Sequence, residues 1–307
     1  MTGTGNVAAV DCGSLSTRLL ISGPKGETLV RLMRLTGLGR GVDSSAAISA
    51  EAAERVVSVL VEFRELMDDY GVERSVMVGT SALRDATNRA DFSRRASNIV
   101  GTELRVLSGE EEALFSFRGA TAELVPSGAP WLVADIGGGS TELAAGPPVV
   151  ARSLDLGCVR VTERFFAHDP PLEPELRAAR EWLGRRYAAA QQTAPALGSA
   201  KTLVGLAGTV AALACFDQGL SSYQREAVHH YVLRRSAVGS ALASLAGQPA
   251  SLRAGRPGIE PARAPYIVAG ALILVSLMEH FGFDECLVSE ADILDGLVAA
   301  LSAGGLQ

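Results

Sequence analysis

A short apolar strand that ends in an acid and runs straight into a glycine turn occurs twice in this chain. Val10-Asp11-Cys12-Gly13-Ser14 is the first copy and Ala134-Asp135-Ile136-Gly137-Gly138 the second. Each copy opens three strand-like segments: residues 7–11, 18–22 and 28–35, then residues 131–135, 141–145 and 149–154. Helical periodicity and further short apolar runs follow each triplet. A pattern that starts over is the mark of a duplicated unit. The chain is therefore expected to be α/β, with two domains of βββαβαβα order. Its 307 residues suit that count. Pro126, Gly128 and Pro130 punctuate the chain between the copies and set a boundary, giving domains 1–125 and 126–307. A helical pattern near 291–303 is expected to pack back on the first domain. Two such domains are expected to flank a cleft, with the acid–glycine turns on opposite walls, where ligands tend to bind.

Composition removes several classes of function. With 48% hydrophobic and 20% charged residues the chain is globular, not disordered. The apolar stretch 264–278 falls short of the roughly 18 residues a membrane span needs. It contains Gly270 and is bracketed by Arg263 and Glu279, so it reads as a buried helix, and no membrane partner is expected. Residues 1–6 carry no basic region and no apolar run follows, so no signal peptide is expected. Cys12, Cys158, Cys215 and Cys286 are scattered without a CxxC pair, which speaks against zinc and for reduced, cytoplasmic thiols. A net charge of −6 argues against nucleic acid as a partner. The cations are Arg-rich: with Lys25 and Lys201 the two lysines among 28 basic residues, 26 are Arg. Coding bias explains that most simply, although Arg forks also suit phosphate oxygens.

Chemistry concentrates at a few motifs. Asp135-Ile-Gly-Gly-Gly-Ser-Thr-Glu142 combines Gly137, Gly138 and Gly139, which let a backbone approach an anion, with the hydroxyls of Ser140 and Thr141. Asp135 and Glu142 flank it as oxygen ligands of the kind Mg²⁺ takes. Asp11-Cys-Gly-Ser-Leu-Ser-Thr-Arg18 offers an acid, Gly13, the hydroxyls of Ser14, Ser16 and Thr17, and Arg18. Cys12 to Arg18 also fits the C-x5-R loop of cysteine phosphatases. Asp11 would raise the thiol pKa, however, and a strand follows Arg18 where that loop needs a helix, so Cys12 reads as a small buried residue. Gly208 and Thr209 sit between a strand and a helix, a natural anion contact. Arg84, in Thr80-Ser-Ala-Leu-Arg84, follows a strand and can hold phosphate oxygens. In Ser108-Gly-Glu-Glu-Glu-Ala113 the three acids stabilise a first helical turn, and one of them can serve as a general base; spacing alone does not say which. His168, His229, His230 and His280 show no ligand spacing, and neither GxSxG nor GxxxxGK[ST] occurs.

Taken together, AAVDCGSLSTRLLI, GTSALRDATNRADF, LSGEEEALFSFRGA, VADIGGGSTEL, LDLGCVRVTERF, GLAGTVAAL, PYIVAGALIL and ADILDGL resemble the exopolyphosphatase / guanosine pentaphosphate phosphohydrolase family. That family has the actin–hexokinase–Hsp70 superfold, so both domains are expected to be actin-like (ribonuclease H-like). The stretches run from about residue 7 to residue 297, and the length resembles the short, two-domain members. The resemblance implies that Glu112 orients or deprotonates the attacking water, and that Asp135 and Glu142, with Asp11, bind Mg²⁺. It implies a phosphate cradle of Gly13, Ser14, Gly138, Gly139, Ser140, Gly208 and Thr209, with Arg84 offsetting transition-state charge and Arg18 assisting. Substrates would be inorganic polyphosphate or guanosine pentaphosphate, and dimers are frequent in the family, so a homodimer is an expectation. Arg31, Arg34, Arg40, Arg94, Arg95 and Arg118 are candidates to line a polyanion groove. One position departs from the family: Leu15 stands where the first turn usually carries Asn. A lost bond to a charged group costs about 1.5–3 kcal/mol, and this opens the alternative of a binder that does not turn its ligand over.

Overall fold

The structure is a computed structural model and describes residues 5–305. The chain forms two compact units. One runs to Gly119 and takes back the chain from Ile293 onward; the other is Ala120–Asp292. The division thus falls inside a helix, a few residues before the Pro/Gly punctuation. Residues 1–4, on which most of the N-terminal reading rests, lie outside the described residues.

The first unit opens with β1 (Asn6–Cys12), β2 (Ser16–Ser22) and β3 (Thr28–Leu35), an antiparallel meander. The helical turn α1 (Val42–Ser45) and helix α2 (Ala50–Asp69) lead to β4 (Val72–Gly79), which lies parallel to β1. Then come α3 (Ser81–Asp85), α4 (Arg89–Val100), β5 (Leu104–Val106) and α5 (Gly109–Thr121). The sheet order is β3-β2-β1-β4-β5. Because strand side chains alternate between faces, β1 sends Ala8 and Val10 to one core and Val7 and Ala9 to another. The first core is closed by Val56, Leu60, Phe63 and Met67, a helical stripe on α2. Ser49 starts that helix by accepting the Ala52 N–H at 3.2 Å.

The second unit repeats the plan with β6 (Trp131–Ile136), β7 (Thr141–Gly146) and β8 (Val150–Leu154). It continues through α6 (Cys158–Phe165), α7 (Glu173–Thr193), β9 (Thr202–Leu206) and α8 (Ala207–Gln218). Next are α9 (Arg225–Val228), β10 (Val232–Arg234), α10 (Arg235–Ala246), α11 (Ala250–Arg253), α12 (Ile267–Phe281) and β11 (Glu285–Val288). Its sheet runs β10-β11-β9-β6-β7-β8. Read from β8, this is the same 3-2-1-4-5 order with an antiparallel second strand, the ribonuclease H-like arrangement of actin-like domains, plus the edge strand β10. The apolar stretch read as a buried helix is α12, whose residues 267–278 are all buried. Among the described residues no helix is long and apolar enough to cross a membrane.

Helix α13 (Ile293–Ser302) returns to the first unit. Ile293, Leu294, Leu297, Val298 and Leu301 fill the second core, against Val7, Ala9, Leu20, Val78 and Phe115. Gly296 allows this approach. A Cβ there would lie 2.1 Å from the Phe115 carbonyl oxygen, which is backbone and cannot swing away. Gly296→Ala should therefore destabilise the fold towards the upper end of overpacking costs, about 3 kcal/mol, measured by urea unfolding. An unchanged midpoint would mean that α13 does not dock this closely.

Candidate active site

Both acid–glycine turns close with the same bond. The Gly13 N–H donates to the Ser16 carbonyl at 2.9 Å, and the Gly137 N–H to the Ser140 carbonyl at 3.0 Å. A Cβ would stand 2.9 Å from that oxygen in the first turn and 3.1 Å in the second, so a side chain at either glycine would press on the carbonyl that closes the turn. The strands beyond differ in charge. Asp11 pairs across the ladder with Arg18, whereas Asp135 pairs with Glu142.

In the first unit Arg18 spends two nitrogens on one oxygen of Asp11: Nε at 3.0 Å and Nη2 at 2.6 Å from Oδ2. Asp11 is buried. The carbonyls of Ser14 and Leu15 accept N–H groups from Thr36, Gly37 and Gly39, which pins the turn from behind. Ser14 Oγ accepts the Ala82 N–H at 3.2 Å, tying the turn to the start of α3. The stretch after β4 thus forms the short helix α3, which carries Arg84 in its last turn. Arg84 Nη1 donates to Glu112 Oε2 at 2.6 Å and to the Leu107 carbonyl at 3.1 Å.

The structure separates the three acids that spacing could not. Glu110 is exposed. Glu111 caps its own helix: its Oε2 accepts the Ser108 N–H while Ser108 Oγ accepts the Glu111 N–H, a reciprocal capping box. That backbone bond holds the Glu111 carboxyl below the usual range. Glu112 is the one turned inward, and it is buried against Arg84.

In the second unit the glycine turn is held by its carbonyls. Gly137 O accepts from Cys158 N, Gly138 O from Val159 N, and Gly139 O from Arg160 Nε at 2.8 Å. The first two donors are N–H groups at the start of α6, which lack partners within their own helix. A trans peptide sets each C=O opposite the next N–H. Drawing three carbonyls towards α6 therefore turns the N–H groups of Gly138, Gly139 and Ser140 the other way, as a row of anion donors. Asp135 and Glu142 are both buried and share one face of the β6–β7 pair. Ser153, on β8, donates to Glu142 Oε1 at 2.7 Å.

Gly208 and Thr209 lie in the first turn of α8. Just before them Ala207 has φ 70°, left-handed backbone that costs a non-glycine residue about 1–2 kcal/mol. Strain of this kind tends to persist at functional sites. Arg263, which the motifs did not single out, is buried there. A Cβ on Gly208 would fall 2.2 Å from its Nη2. Burial pushes the Cys158 thiol up, opposed most by the Arg263 guanidinium.

With this geometry in place, comparison with known proteins is decisive. The model of the Ppx/GppA phosphatase family matches residues 22–301. The chain belongs to the Ppx/GppA phosphatase family. It is 38% identical over 314 aligned positions to Exopolyphosphatase 2 of Mycobacterium tuberculosis, covering 96% of this chain and 98% of that one. It is 33% identical to a guanosine-5′-triphosphate,3′-diphosphate pyrophosphatase of Vibrio vulnificus, covering 94% of this chain and 58% of that protein. A crystal structure of an exopolyphosphatase-like protein superposes with a TM-score of 0.94 at 31% identity, covering 98% of this chain and all of that one.

Within this Ppx/GppA member several other readings resolve. Cys12 is wholly buried and β2 follows its turn; burial, then Asp11, drives its thiol pKa far up, so it is no nucleophile. Leu15 is buried too. Four of the groove candidates carry ion pairs: Arg31 with Asp295, Arg34 with Glu62, Arg94 with Asp91, and Arg95 with Glu54. Arg118 lies over the Phe115 ring. The fold also brings Glu123, His229 and His230 within metal-ligand reach of one another. His229 Nδ1 accepts the Glu290 N–H, however, so Nε2 carries the proton and points it at Glu123 Oε2, 3.2 Å away. His230 joins the cluster by stacking on the His229 ring, centroids 3.8 Å apart.

Gly157 is where α6 meets the glycine turn: a Cβ there would sit 2.3 Å from the Gly138 carbonyl carbon and oxygen. Gly157→Ala should shift the turn and lower phosphatase kcat/KM by roughly a hundredfold, as misplacements near 1 Å do. Unchanged kinetics would show that the turn does not contact substrate.

Proposed function

We propose that this chain is an exopolyphosphatase that hydrolyses the terminal phosphoanhydride of inorganic polyphosphate and releases orthophosphate. The observation that carries the reading is the buried Glu112, paired with Arg84 and joined through α3 to the first phosphate turn. It supplies an acceptor for a water proton and a cation for phosphoryl oxygens in one place. Water oxygen bonds to the terminal phosphorus, the bridging P–O bond breaks, the water proton passes to Glu112, and the shortened chain leaves with the bond's electron pair. No covalent intermediate is needed, and the protein's work is positioning and charge neutralisation.

The family implies Mg²⁺, and the residues fit it. Asp135 and Glu142 are buried carboxylates opposite one another on one sheet face, with Ser153 orienting Glu142. A cation held there would neutralise phosphoryl charge. We assign the metal first to Asp135 and Glu142, because Arg18 donates to Oδ2 of Asp11. Gly13, Ser16 and Arg18 in one unit, and Gly138, Gly139, Ser140, Gly208 and Thr209 in the other, bind phosphate oxygens, with Arg263 adding buried positive charge. Hydrolysis of guanosine pentaphosphate stands second, supported by the likeness to the Vibrio vulnificus protein.

Orthophosphate release from short and long polyphosphate with Mg²⁺ tests the reading. Glu112→Gln should lower kcat by roughly a hundredfold to ten-thousandfold, the usual worth of a general base. Release that is unaffected by Glu112→Gln would reject Glu112 as the base. Binding of polyphosphate without release by the native chain would reject the hydrolase in favour of a binder.

A further inference from the structure

The hydrolase reading asks two things of one contact. Glu112 has to accept a proton from water, and Arg84 has to face phosphoryl oxygens. In this structure they face each other: Arg84 Nη1 lies 2.6 Å from Glu112 Oε2, with the side chains 20% and 10% exposed. A carboxylate oxygen engaged in a short, charge-assisted bond is a weak proton acceptor. The guanidinium nitrogen, in turn, is already directed at an anion.

We infer that the arriving terminal phosphoryl group takes Arg84 from Glu112, and that this exchange of partners readies Glu112 to accept the water proton. The inference rests on the hydrolase reading and deepens it, because it makes the base respond to substrate.

Three features support an exchange in place of a fixed pair. First, Arg84 is tethered close to the phosphate turn. It lies in the last turn of α3, whose start is bonded to Ser14 by the Ala82 N–H and to Cys12 by the Thr80 N–H. Second, the swap trades one charge-assisted bond for another. A terminal phosphoryl group offers three oxygens and more charge than a carboxylate, in the geometry a guanidinium fork fits. Third, the neighbouring pair is built differently. Arg18 uses both Nε and Nη2 on Asp11 Oδ2 from the directly opposed ladder position. That is a clamp across the ladder, whereas Arg84 meets Glu112 from another helix, through an Nη1 that it shares with the Leu107 carbonyl. Glu111 cannot stand in for Glu112, since its oxygens are taken by Ser108 N–H and Arg105.

The test is a double-mutant cycle on binding, independent of turnover. Isothermal titration calorimetry would follow a tripolyphosphate analogue with imido bridges, which is not hydrolysed, in the presence of Mg²⁺. The native chain, Glu112→Gln, Arg84→Met and the double variant are compared. Removing Glu112's charge frees Arg84 for the ligand, so Glu112→Gln should bind roughly tenfold more tightly than the native chain, within the range seen for close charge pairs. In the Arg84→Met background the same change should add nothing. An equal gain with and without Arg84 would mean simple repulsion between Glu112 and phosphate, and would overturn the exchange. So would equal affinities throughout, or no binding by any variant. Arg84→Gln replaces Arg84→Met, with the same expectation, if the latter does not fold. Failure of the hydrolase reading is distinguishable: the native chain would release no orthophosphate, whatever the binding cycle shows.

Discussion

One hydrogen bond, made twice, organises this molecule. The N–H of the glycine after a buried Asp-containing strand bonds the carbonyl three residues on, at Gly13–Ser16 and again at Gly137–Ser140. That bond closes a tight turn and returns the chain antiparallel in a fixed register. The register then decides which side chain faces each aspartate: Arg18 for Asp11, Glu142 for Asp135. One backbone device thus yields an ion pair in one unit and a pair of carboxylates in the other. A one-residue slip would turn both partners to the far face of the sheet, so the chemistry depends on the turns.

What lies behind each turn finishes it. The first is braced by the loop at residues 36–39, which donates N–H groups to Ser14 and Leu15. The second is braced by the start of α6, which donates to Gly137 and Gly138. In both cases donors take up the turn carbonyls, and peptide planarity aims the turn amides outward. The strained Ala207 and the buried Arg263 continue this logic at α8, where left-handed backbone and a buried charge meet at Gly208.

The sequence disclosed the parts whose signal is local. Strand, acid and glycine lie within a few residues, so both turns, the repeated strand triplets and the buried α12 were legible. Capping is local as well, yet Glu110, Glu111 and Glu112 looked alike. Glu111 separates locally, through its capping box with Ser108, whereas Glu112 separates only through a tertiary neighbour, Arg84 on another helix. Arg263 gave no signal at all: it lies in a proline-rich loop and gains meaning from Gly208, far away in sequence. The edge strand β10 was missed because three residues with two exposed side chains carry no readable alternation. The early end of the first unit was hidden inside α5, whose continuous helix masks the change of core.

We propose that the two copies of one turn divide the labour, with the metal on the copy that pairs two carboxylates. Electron paramagnetic resonance of bound Mn²⁺, titrated into the native chain and into Asp135→Asn, Glu142→Gln and Asp11→Asn, measures this directly. The account predicts that Asp135→Asn and Glu142→Gln each weaken binding by roughly tenfold or more, since charge count sets affinity at such sites. It predicts that Asp11→Asn, whose partner is Arg18, leaves binding near the native value. Loss of Mn²⁺ in Asp11→Asn with retention in Asp135→Asn and Glu142→Gln would contradict it.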